Sequence, residues 1–407
     1  MRTIPASIAV LLLMIPLARA ADPVVAGPPP APIVIGGIYP ATGAGADARH
    51  AVGTALDIVN GTHERIQVLM GRGDGLDRLG GAKLSVVFAD DAGDPAKAAT
   101  AAEHLIVDDH AAALVGGLSD AAAAAISKVA EHHGVPFLSL DSAMTNTGGL
   151  TWLFRLGRTP ANDARSVLRM LAATAAANGR TLQTVALVVE DSPAGRDRAA
   201  PVRDAGEAVG LKLVDVPVPV DAASLDSVVQ TIAAAAPDAV LIALSDAQEP
   251  ALLNRLAALD VGPLVLMQRG ETNVTTDGVF RSISYTASPI PDRPGIADVD
   301  AAYKARAGKP LDATAAREIT GVLLLADVIN RAESTKPIDL RTALMATDTP
   351  GNETLMLWDG IRFDDGGQNV LATPALQQVQ KGTFQTVAPD AVAVAAPVWP
   401  AKKDAPK

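Results

Sequence analysis

The feature that most constrains this chain is a regular alternation of short apolar runs with amphipathic helical patterns. The first run, Ile33 to Ile38, is followed by Val52, Leu56 and Val59 at the i, i+4, i+7 spacing of one helix face. The alternation continues to residue 140 and starts again after residue 155. Repeated strand–helix units form parallel sheets covered by helices on both faces. The sequence therefore predicts an α/β fold with two doubly wound parallel-sheet lobes.

Ligands of open parallel sheets bind beyond the carboxyl ends of the strands. Two such units that face each other would form a cleft, and a hinge would close it. The residues predicted to line this cleft follow strands directly: Thr42, Gly43, Ser119, Asp141, Ser142, Asp191, Asp246 and Arg269. Together they favour a small polar solute with hydroxyls or an amine, and the single Arg leaves room for one acidic group.

Each of these positions also has a plainer interpretation. Ser119 follows a strand and opens a helix, so its hydroxyl either contacts a ligand or only caps the helix. Thr42 and Gly43 belong either to a ligand-facing loop or to a simple tight turn. The remaining candidates are ordinary loop residues if they do not line the cleft.

Charge and cysteine content exclude several classes of function. The 407 residues include 45 Asp and Glu against 34 Lys and Arg, a net charge of −11. A nucleic-acid binder or a protein attached to an anionic membrane needs a basic field instead. The chain has no cysteine, which excludes thiol catalysis, disulfides and Cys-ligated metal sites.

The first 20 residues resemble a secretory signal peptide. Arg2 precedes an apolar stretch that ends at Leu17, and Ala18-Arg19-Ala20 fits the small-x-small cleavage pattern. We expect cleavage near Ala20 and export. The absence of cysteine suits a bacterial periplasm as the destination. Residues 21–32 are rich in proline and predict an extended leader.

Four segments, in their order and spacing, resemble the type I periplasmic binding proteins, specifically the Leu/Ile/Val-binding branch of ABC-transporter substrate receptors. The segments are IGGIYPATG at 35–43, VFADDAGDP at 87–95, VGGLS at 115–119 and GVPFLS at 134–139. The resemblance implies a non-enzymatic receptor that serves an inner-membrane ABC permease. It also implies three crossovers between the lobes, placed near Leu156, Arg281 and Pro350. The implied boundaries are 33–156 with 282–350 for the first lobe, 157–281 with 351–387 for the second, and a disordered tail at 388–407.

The ligand residues of that branch carry over only partly. Ser119 matches a serine that the amino-acid receptors use, but Ala194 and Asp246 stand where two tyrosines are expected. Arg269 stands where an acid would hold the ligand ammonium group. The chain also resembles a subgroup associated with PQQ-dependent alcohol dehydrogenase systems. That resemblance implies a dehydrogenase as a second possible partner.

Enzymatic alternatives lack essential residues. Around Ser119 the sequence Gly-Leu-Ser-Asp-Ala lacks the last glycine of a nucleophile elbow, and no histidine follows His133. The G-x-G-x-x-A pattern at residues 43–48 matches a dinucleotide fingerprint, but the nearest strand-end acid, Asp90, comes too late. Asp90, Asp91 and Asp94 are better explained by the family pattern and a helix cap than by a cation. The sequence predicts no enzyme, cofactor or metal.

Two segments stand apart from the alternation. Residues 71–75, Gly-Arg-Gly-Asp-Gly, lie in an insertion that predicts a mobile loop or a wide hairpin. Residues 354–363 and 376–387 predict late strands joined by turns.

Overall fold

The computed structural model describes residues 30–140, 148–219, 225–244, 249–256, 259, 261–267, 274–286 and 295–399. The predicted signal peptide and most of the leader lie outside these residues. Among the helices within the described ranges, none is both long and apolar enough to cross a membrane.

The first sheet has five parallel strands in the order β2-β1-β3-β4-β5. Its strands are β1 (Ile33–Ile38), β2 (Leu84–Ala89), β3 (Leu114–Gly116), β4 (Phe137–Ser139) and β5 (Leu153–Arg155). On one face it packs against α1 (Ala44–Asn60), α8 (Ile296–Ala307), α9 (Ala313–Ala332) and α10 (Pro337–Met345). On the other face it packs against α2 (Pro95–Val107) and α3 (Asp120–His133).

The second sheet has seven strands in the order β14-β13-β10-β9-β8-β6-β7. They are β6 (Thr184–Glu190), β7 (Lys212–Val218), β8 (Ala239–Ala243), β9 (Leu264–Leu266), β10 (Phe280–Ile283), β13 (Ala375–Gln380) and β14 (Thr383–Ala388). The first five are parallel, and the last two add an antiparallel edge. One face holds α4 (Pro160–Ala177) and α5 (Pro193–Ala208), and the other holds α6 (Asp226–Ala235) and α7 (Glu249–Leu256). The predicted α/β fold with two doubly wound sheets is confirmed.

Local sequence signals explain where helices begin and end. The Asp94 carboxylate accepts hydrogen bonds from the Ala96 and Lys97 amides at 2.7 and 3.1 Å, and Pro95 occupies the first helical position of α2. At the end of α3, Gly134 adopts the left-handed conformation, with φ of 63°, that suits glycine.

The chain crosses between the lobes three times. It leaves the first sheet after β5 and returns to the first core at Tyr285, after β10. The last crossing differs from the expected position near Pro350. Residues 355–372 pack in the first core, where the short pair β11 (Asp348–Pro350) and β12 (Gly360–Arg362) lies, so the chain crosses just before β13. Of the predicted strand at 354–363, only β12 is extended.

Two other segments bear on the expectations. The insertion is held in place, unlike the mobile-loop alternative: Leu76 is fully buried, and the Gly75 amide donates to Val59 O at 2.8 Å. Leu76 and Ala82 pair as an antiparallel bridge, as a hairpin would have. The described part of the tail packs on the second lobe: Val398 exchanges two hydrogen bonds with the Gln378 side chain, and Trp399 lies against the core of that lobe. Residues 400–407 lie outside the described part of the chain.

Candidate ligand-binding cleft

The crossing segments join the carboxyl edges of both sheets. The first begins at the carboxyl end of β5, and the second begins at the carboxyl end of β10. Because strands of a parallel sheet end at one edge, the carboxyl ends of β1, β3 and β4 lie on the crossing side of the first lobe. The carboxyl ends of β6, β8 and β9 lie on the crossing side of the second. The crossing side of each lobe is therefore the edge at which the sequence predicts the ligand cleft.

Hydrogen bonds fix the first crossing to the segment that precedes the third. The Arg155 amide donates to Gly367 O at 2.7 Å, and the Asn369 amide donates to Arg155 O at 2.9 Å. The Gln368 side-chain amide donates to Gly157 O at 2.8 Å. Gln368 and Asn369 are both buried. These bonds hold the first crossing against the segment that leads into the third.

A buried charge joins the first two crossings. Arg158 lies 3.3 Å from the carboxylate of Asp163 in α4 and donates to Ser282 Oγ at 3.3 Å. The side chain of Arg158 is 9% exposed and that of Asp163 is 14% exposed. Low exposure limits screening of their attraction by solvent, and removing either partner would leave the other charge buried without its counter-charge.

The loop after β1 presents Thr42 and Gly43 to solvent. Gly43 has φ of 60° and lies before α1 without a side-chain cap, and a Cβ built on it would meet no atom within 4 Å. The Thr42 hydroxyl has no described hydrogen-bond partner within residues 30–140 or the other described ranges. This loop therefore has open space and polar groups available to a ligand.

Ser119 is a helix cap whose hydroxyl also stays accessible. Its Oγ accepts from the Ala122 amide at 3.2 Å, at the start of α3, and the residue is exposed. The plainer interpretation, a helix cap, therefore describes the hydrogen bond that this side chain makes. An accepting hydroxyl keeps its own O–H free to donate.

Asp191 follows β6 directly and is exposed. Its carboxylate lies 3.2 Å from Arg196 in α5, and both side chains are more than half exposed. The four other predicted residues, Asp141, Ser142, Asp246 and Arg269, lie outside the described residues.

The aspartates near the end of β2 have local hydrogen-bond partners. Asp90 Oδ1 accepts from the amides of Ala92 and Ala41 at 2.8 and 3.0 Å, and the Ala92 bond is the main reason that the pKa of Asp90 is lowered. Asp91 Oδ1 accepts from the Gly93 amide, and Asp94 caps α2. In the parts of the chain that the structure describes, no three His, Cys, Asp or Glu side chains are grouped to hold a metal ion.

Sequence reasoning missed a buried polar pair beneath the cleft. The Tyr39 hydroxyl, just after β1, donates to Glu318 Oε2 in α9 at 2.6 Å, and both residues are fully buried. It also missed the hinge amides of Gln368 and Asn369. The available signal was two amide residues that follow a glycine turn at 364–367.

Comparisons with known proteins agree on one family. A sequence model of the periplasmic binding proteins matches residues 32–383. Leu/Ile/Val-binding protein homolog 8 of Brucella abortus is 27% identical, over 90% of this chain and 92% of the relative.

Solved structures share the fold at lower identity. A putative branched-chain amino acid ABC transporter protein from Rhodospirillum rubrum has a TM-score of 0.70 at 23% identity, covering 88% of this chain and all of that one. An ABC transporter substrate-binding protein from Desulfitobacterium hafniense in complex with Leu has a TM-score of 0.63 at 20% identity, covering 87% of this chain and 99% of that one. A solute-binding protein from Rhodopseudomonas palustris in complex with 3,4-dihydroxybenzoic acid has a TM-score of 0.56 at 20% identity, covering 92% of this chain and 98% of that one.

Proposed function

Because the chain belongs to the periplasmic binding protein family, we propose that it is the solute receptor of an ABC transporter and holds a small polar ligand between its lobes. The observation that supports this proposal is that the crossings join the carboxyl edges of both sheets, the edges at which open parallel sheets bind their ligands. The family consists of non-enzymatic solute-binding proteins. Affinity then depends on closure, which removes water from hydrogen bonds between ligand and protein.

The available polar groups favour a ligand with an acceptor at one end and a donor at the other. In the first lobe, the Thr42 and Ser119 hydroxyls and the first amides of α1 can donate to a carboxylate or hydroxyl oxygen. In the second lobe, Asp191 can accept from an ammonium or hydroxyl group. Its pair with Arg196 is solvent-exposed, and such pairs are worth only about 0–1 kcal/mol, so a ligand can replace it at small cost.

Structural relatives support a ligand that bears a carboxylate. The Desulfitobacterium hafniense protein holds Leu, a Streptococcus pneumoniae protein holds isoleucine, and the Rhodopseudomonas palustris protein holds 3,4-dihydroxybenzoic acid. All three compounds combine a carboxylic acid with an apolar or hydroxylated body. We therefore infer a small amino, hydroxy or aromatic acid as the ligand class.

Native mass spectrometry of the purified protein tests whether such a molecule occupies the cleft. Addition of Leu, Ile, Val or 3,4-dihydroxybenzoic acid to stripped protein should then reduce the radius of gyration measured by X-ray scattering. Thr42→Ala should weaken binding about fivefold, the loss expected from one hydrogen bond of about 1 kcal/mol. Thr276→Ala, an exposed substitution at the amino end of β10, is the control. No bound molecule and no compaction with any solute would overturn the proposal.

Export is part of the same proposal. We infer that residues 1–20 are removed and that the mature receptor starts near Ala21 in the periplasm, where it would meet an inner-membrane permease. N-terminal sequencing of the protein from a periplasmic extract should give Ala21 or a neighbouring residue. Recovery of the intact N-terminus from the cytoplasm would contradict it.

A finer proposal concerns the PQQ-dependent alcohol dehydrogenase systems. Ala194, Asp246 and Arg269 replace the expected amino-acid contacts, and the whole chain has only 12 aromatic residues, the sum of 3 Trp, 3 Tyr and 6 Phe. These departures favour a receptor for a different solute, or a partner of the dehydrogenase. A tagged receptor should then retain the dehydrogenase from periplasmic extract. Normal alcohol oxidation in a deletion strain, with no complex, would count against it.

A further inference from the structure

The glycine-rich insertion lies at the pole of the first lobe, away from the cleft. It connects the end of α1 to the start of β2, and the amino ends of parallel strands lie opposite the ligand edge. Asn330 of α9, which contacts the insertion, agrees with this position. It follows Glu318 by 12 residues in the same helix, and Glu318 contacts the carboxyl end of β1. At 1.5 Å per residue this separation is about 18 Å.

Several contacts make the insertion a fixed wall. The Leu69 amide donates to Glu353 O at 2.9 Å. The Asn330 side chain accepts from the Arg78 amide through its oxygen and donates to Asp77 Oδ1 through its nitrogen. Ile66 is also buried. The loop is therefore held from α9 and from the segment that follows β11.

A cavity of about 760 Å³ lies between the insertion and these supports. Such a volume is in the range of sites that take small molecules, roughly 300–1,000 Å³. Its apolar wall consists of Val68, Leu69 and Met70, of which Val68 is buried and the other two are half-buried. Met70 adopts φ of 58°, an uncommon conformation for a residue with a side chain.

The cavity is lined by more negative than positive side chains. Asp77 and Glu353 supply two carboxylates and Arg72 one guanidinium. The hydrogen bond from Asn330 is the main reason that the pKa of Asp77 is lowered, so this carboxylate is ionised at neutral pH. The carboxylate of Glu353 has no described partner in residues 295–399 or elsewhere in the described ranges. The site therefore attracts cations, as does the net charge of the whole chain.

We propose that this cavity is a second binding site, separate from the cleft, for a small organic ammonium ion with a short apolar body. The ammonium group lies near Asp77 and Glu353, and the apolar body lies against Leu69 and Met70. All the lining residues belong to the first lobe, so binding there does not require the lobes to close.

Gly73 provides a way to fill the cavity with only a small shift of its wall. It lines the cavity, its φ is not in the left-handed region, and the nearest atom to a Cβ built on it is Gly75 O at 3.2 Å. By contrast, a Cβ on Gly71 would lie 2.6 Å from Ile66 O. Gly73→Trp is therefore the variant that blocks the site.

The probe is hexylammonium. Its binding to the intact mature protein is measured by ¹³C NMR of the methionine methyl groups. We expect a saturable shift of the Met70 signal and none at Met267, which lies at the cleft end of β9. Hexan-1-ol and hexanoate should bind at least tenfold more weakly. Gly73→Trp should abolish the shift, and Glu353→Gln should raise the dissociation constant several-fold. Glu64→Gln, an exposed carboxylate outside the cavity, should leave it unchanged.

Other outcomes overturn the proposal. They are no shift at Met70 at millimolar hexylammonium, equal binding of hexan-1-ol, or an unchanged constant in Glu353→Gln. If Gly73→Trp does not fold, Glu353→Gln decides the question alone. Absence of a Met70 response in the unsubstituted protein, together with intact ligand-driven compaction, would refute the second site and leave the cleft proposal standing.

Discussion

The Asn369 side chain joins the first crossing to the β12 segment of the first lobe through four backbone groups, and replacing it by alanine removes all four hydrogen bonds. Its side-chain oxygen accepts from the amides of Arg362 and Leu371 at 3.0 and 3.1 Å. Its side-chain nitrogen donates to Leu156 O and Gly360 O, both at 3.3 Å. The residue is fully buried. The bonded groups therefore find no bulk water after the substitution.

The expected cost follows from the number of bonds. A typical intramolecular hydrogen bond contributes about 1 kcal/mol net, so four bonds, two of them long, give a loss of roughly 3–4 kcal/mol. The control is Asn254→Ala, the same change at an exposed position of α7 with no described side-chain hydrogen bond. Exposed substitutions of this kind usually change stability by less than about 0.5 kcal/mol.

Urea unfolding followed by the fluorescence of Trp358 measures this loss in the first lobe. Trp358 is 1% exposed and lies in the same core as the hinge segment. Trp152→Phe and Trp399→Phe leave it as the single tryptophan, since the chain has three. The free energy of unfolding comes from the midpoint and the slope. A loss for Asn369→Ala below 1 kcal/mol, or equal to that of Asn254→Ala, would refute the hinge argument.

Three further changes have distinct expected results. Ser119→Ala should cost about 1 kcal/mol of stability in urea unfolding because the cap on α3 is lost, and Ser119→Asp should restore most of it; equal stability of all three proteins would contradict the cap. Asp90→Asn should lower the urea midpoint at pH 7, and this difference should shrink as pH falls below about 4. The pKa of Asp90 is lowered in the folded protein, so its contribution is present above the unfolded pKa and is lost as pH falls through the folded one; equal differences at pH 7 and pH 3 would exclude this linkage. Trp399→Ala should destabilise the second lobe by roughly 1–2 kcal/mol because its buried surface is lost. Val398, whose residue is 54% exposed, should tolerate replacement by alanine. An equal loss of unfolding free energy in both variants would show that the tail does not pack.

The sequence predicted the sheets well because the core dictates their pattern. The first run, Ile33 to Ile38, coincides with β1, and the helix of the predicted capping aspartate begins at Pro95 as expected. Apolar runs between helical patterns have few other solutions than buried parallel strands. Agreement is therefore best where burial on both faces leaves no alternative.

The third crossing lies later than expected. An apolar run predicts that its residues are buried, but it does not show which lobe buries them. Leu355, Met356, Leu357 and Trp358 are all at most 1% exposed. This pattern suits a strand in either lobe, and only tertiary packing assigns it to the first core. The tail differs from expectation for a related reason. Its Ala and Pro content suggests disorder, but Trp399 packs on the second lobe and the Val398 backbone makes two hydrogen bonds with the Gln378 side chain.

The cleft residues are harder to predict because position after a strand is only one of two requirements. A ligand-contacting residue must also keep hydrogen-bonding capacity that the fold does not use. Thr42 keeps all of it, Ser119 keeps its O–H donor while its oxygen caps α3, and Asp191 has only a weak exposed pair with Arg196. Asp90, at an equivalent strand end, has its Oδ1 engaged by two backbone amides. The sequence places all four alike, and the hydrogen bonds of the folded chain are what separate the first three, which can bind a solute, from an aspartate that stabilises the loop.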